Sequence, residues 1–210
     1  MRGFELAALL SSRICHDLVS PISALSNGVE MLGMEDDEAI RREALSLMEM
    51  SADQAANRLR FFRLAFGAAG GLSGTVDLTA AQQAARNMYA DGKVRLIWRP
   101  AEGELPKPLV NIILTFVLLA GEALIRGGEM TVDVTPGASL ITVEVTSTGT
   151  GARLKEQVVR ALTDDLPPLD ADAAAAPALF IRQVAAEIGA TLTCEQQPEN
   201  RIRLGAHVKR

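Results

Sequence analysis

Two long segments with helical hydrophobic periodicity follow one another near the N-terminus, with only a short break between them. In residues 4–32 and again in residues 38–67, apolar side chains recur every three or four positions. So short a break forces the two helices to fold back as an antiparallel hairpin. The apolar positions are Leu10, Ile14, Leu18, Pro21 with Ile22, Leu25, Val29 and Leu32 in the first helix, and Leu45, Met48, Ala52, Ala55, Leu59, Phe62 and Phe66 in the second.

The break itself carries helix-stop and helix-start signals. Gly33 is expected to cap the first helix, and Asp36 or Asp37 to cap the second. Two helices with one apolar stripe each cannot bury that stripe alone. Pairing two hairpins into a four-helix bundle solves this problem, so the pattern predicts a homodimer.

The chain after the hairpin has a different composition. A Gly-rich linker over residues 68–74 is followed by a mixture of strands and helices, which predicts an α/β sandwich over residues 75–210. The sequence thus indicates an α+β protein whose N-terminal domain is residues 1–67. The expected strands are 76–78, 94–98, 130–135, 140–147, 191–195 and 201–208, and the expected helices are 79–90 (capped by Thr79), 108–125, 153–162 and 177–188.

Composition excludes several classes of function. The net charge of −5, without a Lys/Arg tract, gives no general attraction to nucleic acid. The longest apolar run, residues 109–120, is too short to span a bilayer. Cys15 and Cys194 have no metal-ligand spacing and are expected to be reduced thiols. With no signal-peptide pattern either, we expect a soluble cytoplasmic protein that binds neither nucleic acid nor membrane.

His16 is one of only two histidines, and it lies off the apolar stripe. It follows Ile14 by two positions, about 200° around a helix, so its imidazole is expected to face water. Asp17 is adjacent, and Pro21, five residues after His16, should bend the helix just beyond it. Asp17 either holds the imidazole tautomer or is simply a surface charge. The second histidine, His207, is expected in the final strand and uninvolved.

The sequence His16-Asp17 followed by Pro21-Ile22 resembles the phosphoacceptor box of sensor histidine kinases, and the later elements resemble their ATP-binding domain. Three elements that contact ATP in those kinases have no counterpart here. Residues 120–121 are Ala-Gly where a magnesium-binding Asn is needed, Ser147 replaces the adenine-reading Asp, and residues 173–177 read AAAAP where glycines approach phosphate. The resemblance therefore implies a nucleotide-binding fold that binds no ATP.

The stretches HDLVSPISALSNGVEML, LLAGEALIRGG and STGTGARL are similar to ChpT-type histidine phosphotransferases of alphaproteobacterial phosphorelays. This resemblance implies a cytosolic homodimer in cell-cycle regulation that takes a phosphoryl group from the receiver of a CckA-like hybrid kinase. It implies transfer to CtrA-like and CpdR-like response regulators, with no cofactor beyond the Mg²⁺ that the receiver brings. The alternatives are an ATP-dependent histidine kinase with unrecognised nucleotide contacts, and a non-catalytic dimeric adaptor that binds receivers.

The resemblance assigns His16 as the phosphoacceptor and Asp17 as its helper. Arg13, one turn earlier, is expected either to steady the phosphoryl group or only to coat the helix. Arg58, on the second helix near the same end, is expected with its neighbouring arginines to meet an acidic pocket or a phosphoryl group, or to remain a solvated face. The expected receiver-docking surface comprises Ser12, Ser20, Ser23, Ala24 and Asn27 on the first helix and Ala56, Arg60 and Arg63 on the second.

Overall fold

The computed structural model describes residues 2–34, 37–67, 74–90, 92–99, 103–163 and 172–209. Its first two helices, α1 (Gly3–Met34) and α2 (Glu38–Phe66), pack against each other as the predicted hairpin. Asp37 caps α2, because its Oδ1 accepts hydrogen bonds from the backbone N–H groups of Ala39 and Ile40 at 2.8 and 3.3 Å. The predicted cap at Gly33 is wrong, since α1 continues to Met34. Asp36 and most of the predicted 68–74 linker lie outside the described residues.

A five-stranded mixed sheet forms the centre of the C-terminal half. Its order is β2 (Val94–Trp98), β4 (Gly128–Pro136), β5 (Leu140–Thr148), β7 (Arg201–Lys209) and β6 (Thr191–Gln197). Strands β2 and β4 are parallel and the other neighbours antiparallel. Strands β1 (Thr75–Asp77) and β3 (Glu104–Pro106) form a separate antiparallel pair, of which only β1 was predicted. Strand β3 was missed because three residues ending in proline are too few to show a two-residue period.

Four helices pack with this sheet: α3 (Leu78–Tyr89), α4 (Lys107–Glu122), α5 (Glu156–Thr163) and α6 (Ala176–Glu187). The cap of α3 is Asp77 and not Thr79 as predicted, because the Asp77 carboxylate accepts from the Thr79 N–H at 2.9 Å. Helix α4 is buried on all sides over residues 109–120, as its uniformly apolar sequence predicts. It ends at Glu122, three residues earlier than expected. None of the helices in the described ranges has both the length and the hydropathy to cross a membrane.

The hairpin is not a separate body, because the C-terminal half of α2 shares one hydrophobic core with the α/β half. Phe61, Phe62 and Ala65 belong to that core. At the same junction the Asn111 side-chain amide of α4 donates to the backbone carbonyls of Leu64 and Ala65, both at 2.8 Å. These carbonyls belong to the last turn of α2, where no intrahelical donor exists.

The predicted apolar stripes are only partly buried. Leu45, Ala52 and Leu59 on α2 are exposed, as are Ile22 and Val29 on α1. The prediction placed these residues in the seam of a four-helix bundle made from two hairpins, and within one chain they remain uncovered. The residues that α2 buries instead include Ala44 and Phe61, since its two ends pack against different neighbours.

Candidate functional site

His16 stands on the outer face of α1 with its side chain 84% exposed, which confirms the prediction from helical phase. Its Nδ1 lies 3.1 Å from Oδ1 of Asp17. If Nδ1 carries the proton, it donates to this carboxylate and leaves the lone pair of Nε2 free towards solvent. The imidazole thus has one nitrogen engaged and one available as a nucleophile.

The Asp17 carboxylate belongs to a chain of charged groups that crosses to helix α4. Its Oδ2 accepts from Nε of Arg13 at 2.8 Å, and the Arg13 guanidinium also forms an ion pair with Glu122. Burial and the neighbouring Asp17 raise the pKa of Glu122, although Arg13 opposes them. For Arg13 burial acts against the charge, but the carboxylates of Glu122 and Asp17 outweigh it and raise its pKa. Arg13 is therefore enclosed between two acids.

The backbone of Asp17 is held by a second arginine. Pro21 has no N–H, so the Asp17 carbonyl, four residues earlier, loses its usual partner within α1. Arg58 of α2 supplies one, because its Nη1 donates to the Asp17 carbonyl oxygen. This contact lies at the level that the antiparallel hairpin predicts. It also shows that Arg58 points at α1 and is not part of an open basic face.

Beside His16 lies a cleft of about 440 Å³ between α1 and the α/β half of the protein. The wall opposite α1 comes from the end of α4 and from the turns that precede α5 and α6. Ile125 there is 85% exposed. The residues lining the cleft are Arg13, His16, Asp17, Glu122, Ile125, Lys155, Ala173 and Ala174.

The other predicted site residues lie on the two hairpin helices. Those on α1 and two of those on α2 are exposed, whereas Ala56 is half-buried. Arg60 donates to the side chain of Asn57 at 3.0 Å and remains at the surface. The exposed set is Ser12, Ser20, Ser23, Ala24, Asn27, Arg60 and Arg63.

The position of the expected magnesium-binding Asn is filled by an aromatic ring. Any Cβ at Gly121 would collide with the phenol of Tyr89, whose hydroxyl donates to the Val117 carbonyl at 3.1 Å. Burial also raises the pKa of this phenol, which keeps it a neutral donor. Ala120, the neighbouring residue, is completely buried. A side chain at residue 121 therefore requires Tyr89 to move.

The other two nucleotide positions also have different contacts. Ser147 is completely buried, with its hydroxyl unpaired among the described residues. Before α6, the Asp172 carboxylate accepts from the N–H groups of Ala174 and Ala175 at 2.9 and 3.0 Å. An anionic group thus occupies the N–H donors that a phosphate would use at this helix start.

Three residues near His16 were missed from the sequence: Arg58 in its actual role, Glu122 and Lys155. Pro21 offered a usable signal for Arg58, since a proline inside a helix always frees a carbonyl. Glu122 follows the apolar run of α4 directly, and an acid at the end of a buried helix needs a partner. Lys155 gave no signal, because its place depends on how the α/β half meets the hairpin.

Comparisons with known proteins give a consistent result. A protein-family model described as the histidine phosphotransferase C-terminal domain matches residues 78–200. Over 132 residues the chain is 38% identical to the protein phosphotransferase ChpT of Brucella abortus (strain 2308). The aligned region covers 63% of this chain and 62% of that protein. The alignment thus spans less than two thirds of that relative.

Solved structures give a similar result over nearly the whole chain. A bacterial phosphotransferase superposes with a TM-score of 0.87 at 30% identity, covering 98% of this chain and 97% of the other. The histidine kinase domain of a blue-light activated kinase from Erythrobacter litoralis gives a TM-score of 0.51 at 12% identity, covering 89% and 95%. The second likeness concerns the fold alone.

Proposed function

Because the chain belongs to the histidine phosphotransferase family, we propose that it relays a phosphoryl group through His16 between the aspartates of receiver domains. The observation that supports this most directly is a solvent-exposed imidazole whose Nδ1 faces a carboxylate, so that its Nε2 points away from that contact. This arrangement suits a nucleophile that must reach an aspartate on another protein.

In the proposed reaction the Nε2 lone pair attacks the phosphorus of a receiver's aspartyl phosphate. The bond between phosphorus and the aspartate oxygen breaks, and the receiver's carboxylate leaves with the electron pair. The ring gains positive charge, which the Asp17 carboxylate stabilises through the Nδ1–H group. Reversal of the same step delivers the group to another receiver, whose Mg²⁺ neutralises the phosphoryl oxygens.

The proposed partners follow the family resemblance. They are a CckA-like hybrid kinase as donor and CtrA-like and CpdR-like regulators as acceptors, all in the cytoplasm. We place receiver docking on the exposed faces of α1 and α2 beside His16, where Ser23 and Ala24 are small enough for a partner helix to approach closely. In this proposal the protein is a homodimer, because its hairpin exposes apolar side chains that a second hairpin would cover.

The test is transfer from a receiver domain carrying ³²P on its aspartate. Wild-type protein should acquire acid-labile label, and His16→Gln should acquire none while still binding the receiver in a pull-down. His207→Gln is the matched control, since it removes the only other histidine and should keep the label. Label on the His16→Gln variant would contradict the proposal.

The same assay separates the alternatives. An ATP-dependent kinase would acquire label from γ-³²P-ATP with no receiver present, whereas the relay should acquire none. A non-catalytic adaptor would bind receivers but never acquire label from them. The collision of a residue-121 side chain with Tyr89 and the Asp172 carboxylate at the start of α6 both argue against the kinase.

A further inference from the structure

We propose that Glu122, on the α/β half of the protein, is a positioning residue that sets the tautomer of His16 through Arg13 and Asp17. The inference rests on the proposed function of His16. It gives the α/β half, which lacks the usual nucleotide contacts, a direct part in phosphoryl transfer.

The first step is the continuity of the contacts. Glu122 forms an ion pair with Arg13, Arg13 donates from Nε to Oδ2 of Asp17, and Oδ1 of the same carboxylate faces Nδ1 of His16. Each link uses a different atom of the residue it passes through. A change at Glu122 therefore reaches the imidazole through the planar guanidinium of Arg13 and the carboxylate of Asp17.

The second step is the enclosure of the chain. The side chains of Arg13, Asp17 and Glu122 are only 12%, 15% and 28% exposed, whereas the imidazole at its end is 84% exposed. Charges screened from water by protein interact more strongly than surface pairs. Three enclosed charged groups supporting one exposed ring is the arrangement expected when the ring must be oriented.

The third step is charge balance. Arg13 lies between two carboxylates, and Glu122 balances its charge. Without Glu122, the whole guanidinium charge would act on Asp17 and its fork would be free to take both carboxylate oxygens. Asp17 would then be a weaker acceptor for the Nδ1–H group. The neutral ring would shift towards the Nε2–H tautomer, in which the solvent-facing nitrogen has no lone pair to donate.

The experiment measures the tautomer directly in the full-length protein. Long-range ¹H–¹⁵N correlation spectra at about pH 8.5, where imidazoles are neutral, distinguish the two tautomers, and only His16 and His207 contribute signals. We expect mainly Nδ1–H at His16 in the wild type and at least a twofold shift towards Nε2–H in Glu122→Gln. Glu122→Asp, which keeps the charge, should restore part of the wild-type ratio. The His207 signals should not move.

Glu129→Gln is the matched control, because Glu129 also forms an ion pair in the α/β half, 3.6 Å from Arg95, but away from the cleft. It should leave the His16 tautomer unchanged. Phosphoryl acceptance from a labelled receiver should slow on the order of tenfold in Glu122→Gln. Should Glu122→Gln fail to fold, Arg13→Lys tests the same chain, since lysine keeps the charge but cannot bridge both acids.

An unchanged tautomer in Glu122→Gln would overturn the inference, even if transfer slowed, because the residue would then act only through stability. A shift of equal size in Glu129→Gln would overturn it as well. If the tautomer shifts as expected but wild-type protein never accepts a phosphoryl group, the positioning holds and the proposed function fails.

Discussion

Asp17 makes three contacts, two with residues of its own helix α1 and one with α2. Its carboxylate meets His16 and Arg13, and its carbonyl oxygen accepts from Arg58. The sequence left open whether Asp17 holds the imidazole tautomer or is a surface charge, and the family resemblance named it as a helper of His16. Its position between α1, α2 and, through Arg13, α4 explains how an adjacent residue can be fixed well enough to orient the ring, although neighbours on a helix do not face each other.

The raised pKa of Glu122 gives a stability prediction with a definite sign. The native state favours protonated Glu122 more than the unfolded chain does, so it binds more protons between the ordinary carboxyl pKa and the raised one. The contribution of Glu122 to the free energy of unfolding should therefore fall as pH rises through this window and level off above it. The measurement is urea unfolding of wild type and Glu122→Gln from pH 4 to 8 at one protein concentration.

The difference between the two proteins isolates Glu122 from the other carboxyl groups. The free energy of unfolding of the wild type minus that of the variant should decrease as the pH rises. A difference that grows with pH would mean that the ion pair with Arg13 lowers the pKa of Glu122 more than burial raises it.

At the scale of elements, Pro21 and Arg58 form a compensating pair between α1 and α2. Arg58→Ala should cost about 1–3 kcal/mol, because it leaves the Asp17 carbonyl without a donor. In a Pro21→Ala background the new N–H can bond that carbonyl within the helix, so the same change should cost about 1 kcal/mol less. A double-mutant cycle measured by urea unfolding gives this coupling energy directly.

Arg60→Ala is the control for this cycle, since Arg60 is exposed on the same helix and its one hydrogen bond among the described residues is to Asn57. Its cost should be small and independent of residue 21. Equal costs of Arg58→Ala in both backgrounds would show that Arg58 does not replace the bond that proline removes.

The contact between α4 and the end of α2 gives a second prediction. Asn111→Ala should destabilise the protein by about 2 kcal/mol, because two helix-terminal carbonyls lose their donor in a buried place. Thr115, one turn later on α4, is equally buried, but its hydroxyl has no partner in the described structure. Thr115→Val should therefore be neutral or slightly stabilising. Thermal unfolding of both variants checks the contrast.

The elements that the sequence predicted well are those with strong periodicity. The hairpin helices, the apolar helix α4 and the strands β4, β5, β6 and β7 all lie within a few residues of their expected bounds. The exposure of His16 followed from helical phase alone. Errors fell on short or locally controlled features, such as β3, the Asp77 cap and the extension of α1 past Gly33, where a single hydrogen bond or tertiary contact decides the outcome.

The candidate site could be predicted only as far as α1 alone determines it. His16 and Asp17 were found, but Arg13 was assigned to the phosphoryl group or to the surface, whereas it lies between Asp17 and Glu122. That role depends on where α4 ends relative to α1, a contact between residues 109 positions apart. No local pattern in the sequence encodes such a contact.

On the scale of the whole molecule, the hairpin leaves apolar side chains at heptad spacing. Ile22 and Val29 are seven residues apart and 50% and 58% exposed, and Leu45 and Leu59 are fourteen apart and 48% and 51% exposed. This spacing is typical of helices that pack along their length with others. It supports the proposed four-helix dimer.

The dimer prediction is tested by placing a charge within this stripe. Ile22→Asp combined with Leu45→Asp should convert the protein to a monomer in sedimentation velocity at micromolar concentration, because the pair would bury two carboxylates. Ile125→Asp is the matched control, since Ile125 is 85% exposed but lies on the α/β half. It should leave the mass unchanged. A wild-type monomer would contradict the dimer.

The Tyr89 phenol above Gly121 has a consequence for how such a protein can change over generations. An asparagine introduced at 121 collides with the ring, while a smaller residue introduced first at 89 loses the packing of a partly buried phenol and its hydrogen bond to the Val117 carbonyl. Either order passes through a damaged intermediate. A larger side chain at 121 therefore requires coordinated changes at two positions, and no single substitution at either one supplies it.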